Sequence, residues 1–250
     1  MMKILRLLRD LFHQETLILV LLLAVAVGGL CFVTVADKVE DRDSQAFDEF
    51  VLRSLRRDSD LRIPIGPSWV AAAARDISAL GGATVLTLVT LGTAGFLYCM
   101  GKRRAMWLLA GATVGGSVII VGLKELFARV RPSVVAHLEV VTSPSFPSGH
   151  SMLSTVVYLT LGAMTARALA PLSARVCVVA AWVVLALLVG ISRAFLGVHY
   201  PTDILGGWAA GLAWAILCWL VVAALPRSEP PIRVDPPGKP STPKPPRTHS

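Results

Sequence analysis

Three short polar segments at the ends of long apolar runs carry the residue types best suited to chemistry. They supply three cations, two imidazoles and one carboxylate, which are Lys124, Arg131 and Arg193, His150 and His199, and Asp203. Charge at the end of a membrane-length apolar run is costly, so its presence there indicates a function. This set of groups can hold a phosphate, attack its phosphorus and protonate the group that leaves.

The first segment places Lys124 seven residues before Arg131, with Pro132 directly after. Seven residues are two helical turns, so a helix that continues to Pro132 would put both cations on one face. Taken alone, Lys124 could equally extend its amine from the end of a span to the membrane surface.

The second segment, Pro147-Ser148-Gly149-His150, has the pattern of a helix start that binds an anion. Ser148 is predicted to be the N-cap, which leaves the amides of Gly149 and His150 at the positive end of the helix dipole. Gly149 would let a phosphate approach the backbone without a side chain in the way. A helix cap without a ligand gives the same pattern.

In the third segment, Asp203 follows His199 by four residues, and Pro201 suits the first turn of a helix between them. A carboxylate bound to one ring nitrogen fixes the tautomer and leaves the other nitrogen with a free lone pair. His199 could then act as a nucleophile. In isolation, the pair could instead only cap the helix.

The composition is that of a membrane protein, with 54% hydrophobic and 16% charged residues. Soluble domains contain roughly 25% charged residues. Six apolar runs approach the roughly 20 residues that span a bilayer, and we predict spans at 16–36, 80–100, 105–123, 152–169, 176–191 and 204–225. The predicted fold is therefore all-α, a six-transmembrane-helix bundle over residues 16–225.

Basic residues cluster in the segment 1–15, at 102–104, between 167 and 175, and in the tail 226–250. With six spans these regions share one side of the membrane, and the positive-inside rule makes that side cytoplasmic. The three polar segments then lie on the outer or periplasmic face, at the ends of spans three to six. The first run is too long for a signal peptide and is predicted to be an uncleaved anchor. The proline-rich tail is predicted to be disordered.

The segment 37–78 is predicted to be an outer loop that contains an amphipathic helix, with Phe47, Phe50, Val51 and Leu55 at helical spacing. Such a helix could lie among the lipid headgroups. Alternatively, it could form a rim that helps a lipid chain enter the site.

Two other function classes are disfavoured by the residue pattern. The net charge is +8, but the basic residues lie in connections without interleaved aromatic residues, so we expect no nucleic-acid partner. The four cysteines show no metal-ligand spacing. The oligomeric state is not predicted.

The three segments together resemble a known family. Their order and spacing, Lys-x6-Arg-Pro, Pro-Ser-Gly-His and Ser-Arg-x5-His-x3-Asp, match the motifs of the type 2 phosphatidic acid phosphatase superfamily at every position. That superfamily also includes vanadium haloperoxidases and glucose-6-phosphatase. The motifs cover residues 124–203, and the six-span layout extends the resemblance to about 15–225.

The resemblance implies a role for each motif residue. Phosphate would be bound by the cations, the N-cap and its glycine, that is Lys124, Arg131, Arg193, Ser148 and Gly149. His199 would form a phosphohistidine, Asp203 would hold it, and His150 would protonate the leaving oxygen and then activate water. No metal ion or cofactor is implied, because the three cations supply the positive charge.

The predicted function is an integral lipid phosphatase of the bacterial cell (inner) membrane. Its substrate would be a lipid phosphomonoester or pyrophosphate, either phosphatidate-type or undecaprenyl diphosphate, and the resemblance to compact bacterial members favours the diphosphate slightly. A phosphotransferase with an acceptor other than water is the main alternative. A haloperoxidase is disfavoured because those relatives are soluble. A transporter or a scaffold would not need His150, His199 and Asp203 together.

Overall fold

The computed structural model describes residues 2–225, with side chains from residue 15 onward except that of residue 17. The predicted tail, 226–250, lies outside this range. The helices are α1 (Met2–Glu40), α2 (Gln45–Ser54), α3 (Ser68–Leu80), α4 (Ala83–Cys99), α5 (Arg103–Phe127), α6 (Gly149–Ala168), α7 (Leu172–Phe195) and α8 (Pro201–Ala224). Between α2 and α3, the strands β1 (Arg56–Arg57) and β2 (Asp60–Pro64) form a small antiparallel ribbon that the all-α prediction did not contain.

The helices form a multi-pass membrane protein. Four stretches are long and apolar enough to cross a membrane, namely Ile18–Glu40 in α1 and the whole of α5, α7 and α8. Helices α3 and α4 meet at a 46° bend and would make a fifth span if they cross as one. The sequence predicted six spans. The predicted span 152–169 corresponds to α6, which is not among the helices that are long and apolar enough to cross a membrane.

Helix α6 lies inside the bundle, in contact with α5, α7 and α8. Its buried hydroxyl groups donate hydrogen bonds to carbonyls one turn earlier, as Thr155 does to Ser151 and Thr160 does to Val156. A helix surrounded by other helices does not need an apolar face toward lipid, and its polar groups are satisfied within it. This is consistent with the five Ser and Thr residues of α6, compared with two each in α5 and α7 and one in α8.

Glycines on α8 allow its close approach to α6. A Cβ at Gly207 would lie 2.7 Å from the carbonyl oxygen of Ser148, and one at Gly211 would lie 2.6 Å from that of Met152. Both distances are shorter than van der Waals contact, so only glycine fits at these two positions. The packing holds the start of α6 beside the start of α8, where two of the three polar segments lie.

The end of α5 corrects one expectation. The sequence predicted that a single helix would carry both Lys124 and Arg131, but α5 ends at Phe127. Ala128 has a left-handed backbone (φ 43°), and its amide donates to the carbonyl of Lys124. This C-cap turns the chain away from the helix axis. Arg131 therefore reaches the site from a loop and not from a helix face.

Helix α2 is the amphipathic helix that was expected within the segment 37–78, and one of its faces packs on the bundle. In α2, Phe47 and Phe50 are exposed as an amphipathic helix requires, but Asp48 and Leu52 have no exposed surface. Leu52 packs in a core cluster with Tyr200 and Ile204 at the start of α8. Helix α2 is therefore anchored to the bundle, and it carries a buried carboxylate that the sequence analysis did not single out.

Candidate active site

One end of the bundle brings the three polar segments together. Lys124 lies in the last turn of α5 and Arg193 in the last turn of α7, while Gly149 begins α6. The amide of Ser148 donates to the carbonyl of Asp203 (2.9 Å), which joins the second segment to the third. Arg131 donates to the carbonyl of Val198 (2.6 Å), which joins the first segment to the third.

His199 and Asp203 form a buried pair. Nδ1 of His199 lies 3.3 Å from Oδ2 of Asp203, and the two residues are 2% and 0% exposed. The same Oδ2 accepts hydrogen bonds from the amide of Tyr200 (2.8 Å) and from the hydroxyl of Ser145. These donors fix the orientation of the carboxylate, and the carboxylate in turn fixes the imidazole ring.

The contacts of His199 determine its tautomer. Nη1 of Arg131 lies 3.3 Å from Nε2 of His199, and a guanidinium group can only donate hydrogen bonds. Nε2 is therefore the acceptor, and the ring proton is on Nδ1, directed at Asp203. The lone pair of a potential nucleophile thus faces a cation.

His199 is neutral near pH 7. Burial lowers its pKa from 6.5 to about 4, and the charges of Arg131 and Arg193 act in the same direction against the opposing effect of Asp203. Nε2 is therefore unprotonated over the physiological pH range.

A second arginine of the first segment, Arg129, organises the other side of Asp203. Its Nη1 donates to Oδ1 of Asp203 (2.6 Å) and its Nη2 donates to Oδ2 of Asp48 (2.8 Å). The guanidinium also lies over the ring of Tyr200, 4.3 Å from the ring centre. Burial acts to lower the pKa of Arg129, but the two carboxylates outweigh it and raise that pKa.

Asp48 completes this network from α2. Its Oδ1 accepts the amide of Thr202 (3.0 Å), and its Oδ2 accepts the hydroxyl of Thr202 (2.6 Å). Because Thr202 lies in the first turn of α8, Asp48 caps that helix from outside and fixes its start. Helix α2 is therefore connected through Arg129 to the carboxylate that orients His199.

The loop between α5 and α6 supplies an oxygen to each of the three predicted phosphate-binding cations. The amine of Lys124 donates to the carbonyl of Pro144. Nε of Arg131 donates to the carbonyl of Ser143 (2.7 Å), and its Nη2 donates to the hydroxyl of Ser143 (3.2 Å). Arg193 forms an ion pair with Glu139 through Nη1. All three cations thus bind oxygen atoms of the same loop, the one between α5 and α6.

Two features of these cations favour an anionic ligand. Burial and the nearby charge of Arg193 both lower the pKa of Arg131, so the two guanidinium groups repel each other. Nε of Arg193 is buried and has no hydrogen-bond partner within residues 15–225. An anion with several oxygens would relieve the repulsion and supply the missing partner.

The second polar segment lies at the start of helix α6. Ser148 is fully buried and is the N-cap of α6, with its hydroxyl accepting hydrogen bonds from the amide (3.4 Å) and the hydroxyl (3.0 Å) of Ser151. A Cβ at Gly149 would lie 3.8 Å from Cε of Lys124, so this glycine borders the cation site. The position fits an anion that receives the helix dipole and the lysine charge together.

His150 and His199 have different surroundings, because His150 lines a cavity that His199 does not line. The imidazole of His150 packs against the bend between α3 and α4, where a Cβ at Gly82 would stand 3.9 Å from Nε2. His150 lines this cavity, of about 360 Å³, together with Arg75, Ser78 and Glu139. It is therefore the histidine that a group in this cavity would contact.

The sequence analysis missed four residues that position this site: Arg129, Asp48, Ser145 and Glu139. Arg129 could have been found, because it lies two residues before Arg131 in the same basic segment. Asp48 stands among other charged residues in a long connection, where nothing in the local sequence marks it. Glu139 is the one charged residue of the segment 133–146, but no motif or helical spacing relates it to the cations.

Comparisons with known proteins agree with these motifs. The PAP2 superfamily model matches residues 105–227. Over 188 residues the chain is 34% identical to phosphatidylglycerophosphatase B of Bacillus subtilis (strain 168), covering 73% of this chain and 87% of that protein. Over 146 residues it is 33% identical to decaprenylphosphoryl-5-phosphoribose phosphatase of Mycobacterium tuberculosis (strain ATCC 25618 / H37Rv), covering 56% and 73%.

Solved structures show the same fold. The crystal structure of a transmembrane PAP2 type phosphatidylglycerolphosphate phosphatase from Bacillus subtilis aligns with a TM-score of 0.73 at 29% identity, over 82% of this chain and 98% of that one. Aquifex aeolicus LpxE aligns with a TM-score of 0.51 at 23% identity, over 62% and 87%, a similarity of fold alone.

Proposed function

This chain belongs to the PAP2 superfamily, and from that membership we propose that it removes phosphate from a membrane lipid phosphomonoester through a phosphohistidine on His199. One observation carries the proposal: the Nε2 lone pair of His199 faces Arg131, while Nδ1 is held by a buried Asp203. The names of both relatives describe phosphatases of lipids with a phosphorylated headgroup. They favour a monoester over undecaprenyl diphosphate, which the sequence alone favoured slightly.

Binding begins when phosphate oxygens replace the loop oxygens on the three cations. Arg193 has an unused Nε donor, and Lys124 stands beside the start of α6, so both can bind without moving far. Arginine suits a phosphate because its planar fork can donate two hydrogen bonds at once. When Arg131 turns its Nη1 from His199 to a phosphate oxygen, the lone pair on Nε2 becomes free to attack.

Hydrolysis then proceeds in two steps, the formation of the phosphohistidine and its cleavage by water. Nε2 of His199 attacks the phosphorus, the phosphorus–oxygen bond to the lipid breaks, and His150 donates a proton to the leaving oxygen. Asp203 stabilises the positive charge that develops on the ring. His150 then takes a proton from water, the water oxygen attacks the phosphorus, and the phosphorus–nitrogen bond breaks to restore neutral His199.

The three cations supply the charge neutralisation that phosphoryl transfer requires. We therefore propose that turnover is metal-independent. Activity of the purified protein should survive EDTA, and vanadate should inhibit, because it resembles five-coordinate phosphorus. Complete loss in EDTA with recovery on adding Mg²⁺ would contradict this part of the proposal.

We also propose six spans, with α6 as the fourth and the site at the outer face of the cell membrane. The basic residues Arg103, Arg104, Arg167 and Arg175 all lie at helix ends opposite the site. By the positive-inside rule, that end is cytoplasmic. Helix α6 extends over 20 residues between the two ends, which suffices for a span.

Cysteine labelling in intact cells tests this orientation. Single cysteines at Thr142 and at Arg103 would be introduced into a variant without the native cysteines. A membrane-impermeant reagent should label the Thr142 site and not the Arg103 site. The reverse pattern would place the active site in the cytoplasm.

Phosphate release across a lipid panel tests the function itself. The panel comprises phosphatidylglycerol phosphate, phosphatidate, undecaprenyl diphosphate and glycerol 3-phosphate, with and without a glycerol acceptor. We expect activity on long-chain monoesters to exceed that on glycerol 3-phosphate, because each buried CH₂ contributes about 0.8 kcal/mol to membrane partitioning. Transfer to glycerol in preference to water would indicate a phosphotransferase. No release from any of these lipids would refute the proposed function.

A further inference from the structure

The cavity beside His150 has the position of a leaving-group site. An attacking atom and a leaving oxygen lie roughly in line through phosphorus, so the leaving group stands on the side away from His199. His199 is 2% exposed and does not line the cavity, whereas His150 does. If the proposed mechanism holds, the organic part of the substrate next to the reacting phosphate occupies this cavity.

The cavity is lined by both polar and apolar residues. Its polar side chains are those of His150, Ser78, Glu139, Arg75 and Thr84, and apolar groups come from the α3–α4 bend and the first turn of α4. A volume of about 360 Å³ is large enough for a small hydroxylated unit, and the five polar side chains offer it hydrogen-bond partners. Glu139 has a 38% exposed side chain, and Arg75 forms no hydrogen bond or ion pair with the part of the chain that the structure describes.

The charges in the cavity point to a particular headgroup. We propose that it binds a polyol that carries the reacting phosphate at one end and a second anion, such as the phosphodiester that joins it to the lipid, at the other. Glu139 accepts a hydrogen bond from a hydroxyl of the polyol, and Arg75 binds the second anion. Arg75 and Glu139 are thus specificity-determining residues of a subsite next to the general acid.

The negative charge of Glu139 should weaken the binding of a lipid diphosphate. In a lipid diphosphate the second anion is bonded directly to the leaving oxygen and would lie beside Glu139, where two negative charges repel. With a polyol between the two phosphates, the second anion is moved away from Glu139 toward Arg75. The subsite therefore selects by the distance between the two anions as well as by their charge.

Paired substrates test the subsite. Phosphatidylglycerol phosphate has the second anion, whereas phosphatidate with the same acyl chains does not. Arg75→Gln should lower kcat/KM about tenfold for the first lipid, the size of one charge-assisted hydrogen bond, and less than twofold for the second. Arg62→Gln removes the same charge from an exposed side chain of β2 and is the control, expected to change neither value.

A second variant tests Glu139 separately. Glu139→Gln should raise the efficiency on undecaprenyl diphosphate relative to phosphatidylglycerol phosphate several-fold, because the repulsion is removed. Equal losses on both monoesters in Arg75→Gln, or no loss on either, would overturn the subsite while leaving the phosphatase intact. A wild-type protein that releases phosphate from neither monoester would instead refute the proposed function, and the subsite with it.

Discussion

Replacing Arg129 should destabilise the protein far more than replacing an arginine in a surface ion pair. Arg129 donates to Asp203 at 2.6 Å and to Asp48 at 2.8 Å, and both carboxylates are 0% exposed. Its own side chain is only 11% exposed. Arg129→Met would leave two buried carboxylates without their shared cation, a change that differs in kind from the loss of a solvated contact.

The magnitude follows from the two hydrogen bonds. Each charge-assisted hydrogen bond contributes about 1.5–3 kcal/mol. Breaking a buried ion pair by removing one partner destabilises by about 3–5 kcal/mol. We therefore expect Arg129→Met to lower the free energy of unfolding by about 3–5 kcal/mol. Arg129→Lys keeps the charge but cannot bridge two carboxylates with one planar fork, so it should lower the free energy of unfolding by a smaller amount. It should also lower kcat more than it raises KM, because Asp203 is less well positioned.

Denaturant titration in detergent micelles, followed by tryptophan fluorescence, measures the stability. The matched control is Arg53→Met, because Arg53 forms an exposed pair with Glu49 on α2 at 3.6 Å. Exposed helix pairs of this kind contribute only about 0.3–0.5 kcal/mol. If Arg129→Met and Arg53→Met were destabilised by similar amounts, the buried network would have no special role. Unchanged kcat in Arg129→Lys would contradict its role in positioning Asp203.

Three further predictions address the histidines and the helix packing. His150→Ala should reduce turnover most with a lipid alkoxide leaving group and least with an aryl phosphate, which needs less protonation; equal losses on both would remove the acid role. The pKa of His199 is 6.5 in the unfolded chain and about 4 in the folded protein, so between these pH values only the unfolded chain binds the proton. The free energy of unfolding should therefore fall by about 2 kcal/mol from pH 7 to pH 5. Denaturant titrations should show a smaller fall in His199→Gln, and equal falls would exclude His199 as the cause. Gly211→Ala should destabilise by more than 1 kcal/mol in the same titrations, because its Cβ would meet the Met152 carbonyl at 2.6 Å, whereas Gly122→Ala, with open space around it, should not.

The motif residues could be singled out from sequence because their types and spacing are unusual at the ends of apolar runs. Lys124, Arg193 and His199 lie at the ends of apolar runs, and the alternating direction of consecutive spans places such ends together. The structure shows these ends at one side of the bundle. The side of the membrane that they face stays a prediction.

The supporting residues could not be assigned in the same way. The contact of Asp48 with Arg129 joins residues 81 positions apart, and its energy depends on a tertiary arrangement that no local pattern encodes. The left-handed turn at Ala128 is likewise uncommon for a residue with a Cβ, so a helix through Arg131 was the natural expectation. Helix α6 carries many hydroxyl groups because other helices cover it, a reason that becomes visible only in the assembled bundle.

Trapping the covalent intermediate is the most direct test of the central claim. Purified protein would be mixed with a lipid that carries radiolabelled phosphate, quenched within one turnover, and examined for label that is lost in acid and retained in base, as expected for a phosphorus–nitrogen bond. The account predicts label on the wild-type protein, more label that persists in His150→Ala, and none in His199→Ala. Label that remains in His199→Ala, or steady turnover of the wild type with no trapped phosphoenzyme, would contradict it.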